Sequence, residues 1–198
     1  VNKATLSGEK YSIYPIFTGV NGNLTAFDKP WDNQQLFKTF KDMGVPCLRY
    51  PAGTLGNYWD WEKGGVDESV PDELMIGWVA ENNFKSSSKR YTLENLAKIS
   101  EAGITPVFML NMLSKDLNHA LKGLRKADSL GIPVKYIELG NELYFNLPYE
   151  SSVYPTPEDY GRTCREWITA LKKEFPDAKY AILGSNRNVK ERDTNWTK

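Results

Sequence analysis

The sequence predicts an α/β fold built of repeated β/α units around a parallel sheet. Short apolar runs alternate with amphipathic stretches along almost the whole chain, and several amphipathic stretches stop at a glycine. The turn after the first apolar run, Gly19-Val20-Asn21-Gly22-Asn23, lacks the glycine spacing of a dinucleotide-binding loop. That mismatch favours a (β/α)8 TIM barrel over a doubly wound sheet.

Residues 13–20 read as the first strand. Residues 33–43 follow as a helix with Leu36, Phe37 and Phe40 as its apolar positions, ended by Gly44, and 45–50 are the second strand. The Gly- and Trp-rich segment 51–90 is far longer than the roughly 4–6 residues that usually join such elements, and loops of that length tend to be functional. Thr92 is a suitable N-cap for a helix over 93–102 with Gly103 at its end, and 104–111 are the third strand. A helix over 115–130 stops at Gly131, and Pro133 leads into a fourth strand, 134–142. After a polar, Pro-containing loop, Pro157 opens a helix to residue 174, and Pro176 precedes a fifth strand, 180–184. Residues 185–198 are polar. A complete barrel takes about 250 residues and eight strands. Residues 1–198 therefore read as the N-terminal portion of a single (β/α)8 domain, an incomplete barrel of about five β/α units. Exposed parallel edges invite pairing, so completion by a missing C-terminal segment or a second chain is expected.

With 198 residues, 40% of them hydrophobic, the chain can bury a core as one domain. Lys and Arg number 25, as do Asp and Glu, so nothing marks a nucleic-acid surface. Apolar runs such as 107–110 and 132–134 fall far short of the roughly 20 residues of a membrane span. Val1-Asn2-Lys3-Ala4-Thr5 has neither the regions of a signal peptide nor an initiating Met, and reads as the start of a processed or trimmed chain. Cys47 and Cys164, far apart in sequence, suggest buried thiols rather than a zinc site or a disulfide framework.

The most informative stretch is Tyr136-Ile137-Glu138-Leu139-Gly140-Asn141-Glu142-Leu143-Tyr144. Read as a strand to residue 142, it puts Glu138, Gly140 and Glu142 on one face and Ile137, Leu139 and Asn141 on the other. Glu142 then closes the strand at its open end. A carboxyl in such a place, partly desolvated, is suited to protonating a leaving-group oxygen near neutral pH. Asn141 beside it can hydrogen-bond a sugar hydroxyl, a contact that strengthens in the transition state of glycosidases. Gly140 leaves room for a sugar ring or for close packing. The plain alternative is a solvated loop acid beside a turn-forming Asn, but the full Glu-x-Gly-Asn-Glu string after an apolar run weighs against it.

Several strings, in order along the chain, resemble clan A glycoside hydrolases, particularly the α-L-arabinofuranosidase and heparanase-like branches. Leu48-Arg49-Tyr50-Pro51-Ala52-Gly53-Thr54 looks like the Leu-Arg-aromatic-Pro-Gly-Gly stretch of arabinofuranosidases, with Ala52 where Gly is usual, and Trp59-Asp60-Trp61-Glu62-Lys63-Gly64 continues the likeness. Residues 92–103 and 105–111 are similar to their helix and third strand. Residues 136–142 match the strand whose closing Glu is the general acid/base.

The resemblance implies that Glu142 is the acid/base, Asn141 a ligand for the sugar 2-hydroxyl, and Arg49 and Asn111 further walls of the sugar pocket. It implies a retaining glycoside hydrolase that cleaves O-glycosidic bonds in polysaccharides or oligosaccharides, with no metal and no organic cofactor. Its nucleophile is a second Glu at the seventh strand, past the five strands read here. Retaining chemistry needs two carboxyls about 5–5.5 Å apart, so the isolated segment is expected to be inactive. A carbohydrate polymer as substrate suggests a secreted protein, extracellular or periplasmic. The alternative is a non-catalytic carbohydrate-binding or scaffold protein on the same fold, since barrels host many functions.

Other residues carry two readings each. Arg49 is either a sugar contact or the partner of a buried acid such as Glu138, the latter favoured. Trp59 can stack on a sugar or anchor its own loop, and Trp61 is the weaker candidate of the two. Asn111 is a pocket residue or a local turn cap, the former favoured, and Tyr144 can line or support the site. His119, the only histidine, is expected on a helix surface far from any strand tip. Asn23-Leu24-Thr25 and Asn195-Trp196-Thr197 are glycosylation sequons with meaning only in a eukaryotic secretory context.

Overall fold

The computed structural model describes residues 14, 16, 18–22, 33–51, 53–81, 91–185, 192, 195 and 196. Its first strand, β1 (Val20–Asn21), meets the expected 13–20 strand only at Val20: residues 14, 16, 18 and 19 are turn or irregular, and 13, 15 and 17 lie outside the described residues. Asn33 caps α1 (Gln34–Asp42) by accepting the amides of Gln35 and Leu36, and β2 (Cys47–Tyr50) follows a turn at Gly44. The long segment after β2 is built rather than loose. It holds a 3₁₀ turn at Thr54–Tyr58, an antiparallel ribbon of β3 (Trp59–Asp60) and β4 (Gly65–Val66), a second 3₁₀ turn at Asp72–Leu74, and α2 (Gly77–Glu81). Ala52 and residues 82–90 lie outside the described residues.

Thr92 accepts the amide of Asn95 and starts α3 (Leu93–Glu101), which leads through Gly103 to β5 (Thr105–Leu110). Asp116 caps α4 (Leu117–Ser129), and β6 (Tyr136–Leu139) follows. The loop before residue 157 contains a short helix, α5 (Pro148–Val153), that sequence reading missed. A full capping box between Thr156 and Asp159, with proline in the first turn, opens α6 (Pro157–Glu174), and β7 (Lys179–Ala181) ends the sheet.

Among the described residues the main sheet has the strand order β1-β2-β5-β6-β7, every pair parallel. Each strand lies beside the next one along the chain, apart from the β3–β4 ribbon. A doubly wound sheet reverses order at a switch point, and this sheet has none. It is part of an α/β barrel wall.

Burial alternates along β6 and the first four residues of β5. Leu48, Phe108, Ile137 and Leu139 join Phe40, Leu96, Ile99, Leu124 and Leu171 of the helices in one core. On the opposite face Arg49, Val107 and Tyr136 share one level of the sheet and are only half-buried, with Glu138 one step further along. The core is the seam between sheet and helices, and the other face is where polar chemistry finds room. Both cysteines are buried and free, and no helix of the described residues is long and apolar enough to cross a membrane.

Candidate active site

The strand expected over 134–142 ends at Leu139, which changes the geometry of its tip. Gly140 has φ +82° and Glu142 φ +47°, so side-chain alternation stops and the chain turns sharply. The expectation that Asn141 faces away from Glu138 is thereby corrected: both side chains meet Arg49. Gly140 serves close packing, because a Cβ there would lie 2.6 Å from Leu143. Glu142, a non-glycine residue at positive φ, is the kind of local strain that persists only where neighbours hold it.

Those neighbours are specific. Arg49 Nε donates to Glu138 Oε2 and Nη2 to Glu138 Oε1, both at 2.7 Å, in the fork geometry that suits a carboxylate. The same Nη2 donates to Asn141 Oδ1 at 2.9 Å, which turns the Asn141 amide nitrogen toward Glu142 Oε2, 3.4 Å away, and Thr54 Oγ1, 3.5 Å away. Tyr144 donates its hydroxyl to Glu142 Oε1 at 3.0 Å. Gly53 borders this cluster: a Cβ there would lie 3.2 Å from Arg49 Nη1 and 3.4 Å from Asn141 Oδ1. Glu142 itself is half-buried, open enough to meet a ligand. Beneath the turn, the buried Asn57 side chain accepts the Asn141 amide at 3.0 Å and donates to its carbonyl at 2.7 Å. Sequence reading missed Asn57 and Thr54; only their place in the long segment after β2 hinted at a role.

The structure thus brings Glu142, Asn141, Arg49 and Tyr144 together, with Arg49 in the favoured ion pair. Two other candidates are engaged differently. Trp59 is 6% exposed, donates its indole N–H to the Tyr50 hydroxyl at 3.1 Å and packs edge-on against that ring. It anchors its loop in the core, and its faces are not open for sugar stacking. Asn111 is spent on a turn: Oδ1 accepts the amides of Leu113 and Ser114, and Nδ2 donates to the Trp59 carbonyl and to Ser114 Oγ. Its cap role is the one the structure supports. Trp61 likewise anchors, donating to the His119 carbonyl at 2.9 Å and packing on Gly123.

A second polar cluster flanks the β3–β4 ribbon. Lys115 Nζ lies 3.0 Å from Asp60 Oδ2 and 3.0 Å from Asp67 Oδ2, both carboxylates being buried. Burial works against the Lys115 charge, but its bonds to Asp67 and Asp60 outweigh it and hold the pKa above the ordinary value. His119 belongs here rather than on an open helix surface, which corrects the expectation. Its ring packs on Trp61 with centroids 5.5 Å apart and its Nε2 lies 3.8 Å from Asp60, and burial lowers its pKa. Among the described residues no group of three or more His, Cys, Asp or Glu is arranged to hold a metal ion.

No family model matches the chain. Curated relatives do. The chain is 26% identical over 181 residues to α-L-arabinofuranosidase C of Emericella nidulans, covering 82% of this chain and 33% of the relative. It is 27% identical over 202 residues to an intracellular exo-α-(1→5)-L-arabinofuranosidase of Streptomyces lividans, covering 91% of this chain and 29% of the relative. It spans about a third of the length of these relatives. Among solved structures it is similar to a family 51 α-L-arabinofuranosidase of Bifidobacterium longum, with TM-score 0.64 and 20% identity over 92% of this chain and 41% of that one. The arabinose complex of a Thermotoga maritima α-L-arabinofuranosidase matches with TM-score 0.58 and 22% identity over 77% of this chain and 34% of that one. The resemblance read from the motifs is carried by these homologues, and the fold is part of the same barrel. The word intracellular in the name of the Streptomyces relative gives the expectation of secretion no support.

Proposed function

We propose that the protein carrying this chain is a retaining glycoside hydrolase of α-L-arabinofuranosidase type, with Glu142 as general acid/base and this chain as the N-terminal part of its barrel. The observation that carries the reading is the cluster after β6. A half-buried carboxyl with its oxygens set by Tyr144 and Asn141 follows the C-terminal end of a parallel strand, the end where barrel enzymes keep their chemistry.

In this reading Glu142 protonates the departing glycosidic oxygen and later takes a proton from the attacking water. The Asn141 amide nitrogen binds the sugar 2-hydroxyl, and Arg49 fixes which way that amide points. Glu138 does not serve as nucleophile, because both its oxygens accept from Arg49. The second carboxylate comes from the remainder of the barrel, about 5–5.5 Å from Glu142. An extracellular or periplasmic location goes with a polymeric substrate, and cell fractionation tests it.

The test is Glu142→Gln in the complete protein, assayed on aryl α-L-arabinofuranosides. General-acid help is worth about 10²–10⁴-fold, so a loss of that size is expected with phenol-type leaving groups. An unchanged rate overturns the assignment. Sugar binding without hydrolysis in both proteins favours a non-catalytic carbohydrate-binding role instead.

A further inference from the structure

We infer that Asn57, in the 3₁₀ turn after β2, is the positioning residue that holds the Asn141-Glu142 dipeptide in place for proton transfer; this rests on the acid/base role proposed for Glu142. Strand pairing of β6 ends at Leu139, and the backbone then turns through positive φ on both sides of Asn141. Among the described residues the Asn141 peptide groups therefore have no strand neighbour. Asn57 supplies one: its carboxamide offers the Asn141 N–H an acceptor at 3.0 Å and the Asn141 carbonyl a donor at 2.7 Å. Such a ring of two bonds copies a peptide partner, and it fixes rotation as well as position.

The other ties to this turn do different work. Tyr144 and the Asn141 amide nitrogen reach Glu142 from the same stretch of chain, so they move with it. Arg49 and Thr54 grip the Asn141 side chain. Asn57, 84 positions away in sequence, grips the backbone. It is 1% exposed, so its bonds to Asn141 are made without competition from bulk water. Both its polar side-chain atoms are engaged with Asn141, and it acts on the carboxyl only through that residue.

A loosened acid/base has a signature that general loss of structure lacks. Phenol-type leaving groups need protonation, whereas a dinitrophenyl group departs with little help. In the complete protein, Asn57→Ala is expected to lower kcat/KM on a phenyl α-L-arabinofuranoside by about 10- to 100-fold, the range expected for a displacement of about 1 Å. On the dinitrophenyl substrate the change is expected to stay within about threefold. Asn57→Asp serves as the second variant, and carries the test if the alanine variant does not fold. It keeps the acceptor and loses the donor while ionised, so its deficit on the phenyl substrate shrinks as the pH falls and the carboxyl regains a proton. Equal losses on both substrates, or no loss on either, overturn the inference. Full activity of Glu142→Gln on the phenyl substrate overturns the acid/base reading beneath it, which the Asn57 variants alone do not.

Discussion

Arg49 and Glu138 form a forked ion pair across β5, with both nitrogen-oxygen distances at 2.7 Å. Their strands are two sheet spacings apart, about 9.5 Å, so only a long side chain closes the gap. The same guanidinium then reaches Asn141 at 2.9 Å and orders the turn that carries Glu142. A lysine offers one nitrogen without the planar fork, so it cannot keep the two-pronged pair with Glu138. Arg49→Lys in the complete protein is expected to lower kcat/KM about 10²-fold through the misplaced turn, and stability by about 1–3 kcal/mol through unpaired acceptors. Aryl glycoside kinetics and urea melts check the two parts separately.

Lys115 between Asp60 and Asp67 is a structural counterpart of that pair. Replacing it by methionine leaves two buried carboxylates without their cation, and a loss of about 3–5 kcal/mol is expected. Burial works against the charge of Asp67, but bonds from Ser69 and Lys115 hold its pKa below the ordinary value. That contribution is present above the unfolded pKa and lost as the pH falls through the folded one. Lys115 is raised, so its contribution is present below the unfolded pKa and lost as the pH rises through the folded one. The difference between Lys115→Met and the parent is therefore expected to be largest from about pH 4 to about pH 10. Melts that extend below and above that range measure it.

Much of this was legible in sequence because it is local. The glycine stops at Gly44, Gly103 and Gly131, the Thr92 cap and the Pro157 helix start need only neighbouring residues, and all appear in the structure. The Asn141-Glu142 pair was legible as a candidate site, and the Arg49–Glu138 pairing followed from position on strands. What failed required knowing the turn. Alternation predicted Glu142 opposite Asn141 because nothing in a single sequence says that a strand stops at Leu139 rather than three residues later. Trp59 and Asn111 looked available because exposure is a property of packing, and each found partners from segments about 9 to 52 positions away. Asn57 was invisible for the same reason.

Gly140 tests how much the turn itself matters. An L-residue with a Cβ at φ +82° costs about 1–2 kcal/mol, and here the added carbon would also press on Leu143 at 2.6 Å. Gly140→Ala is expected to lower stability by at least about 1–2 kcal/mol. Because Asn141 and Glu142 follow directly, activity on phenol-type glycosides is expected to fall further than the melting shift alone explains. Parallel kinetic and thermal measurements on the complete protein separate the two.

Glu150 gives the clearest pH prediction. Its side chain is buried, with the Tyr58 hydroxyl 3.4 Å from Oε1 and, among the described residues, no partner for Oε2. Burial raises its pKa, against smaller opposing effects from hydrogen bonds and Arg192. A group whose folded pKa lies above its unfolded value favours folding fully below the unfolded pKa, and loses that contribution as the pH rises to the folded one. Glutamine is always neutral and pays no such penalty. The stability of Glu150→Gln relative to the parent is therefore expected to climb with pH, starting near pH 4.3, by up to about 1.4 kcal/mol per pH unit until the folded pKa is passed. It levels off on either side. Urea melts of both proteins from pH 3 to pH 8 read this directly, and a difference that stays constant across the range means that the Glu150 carboxyl reaches water in the folded protein.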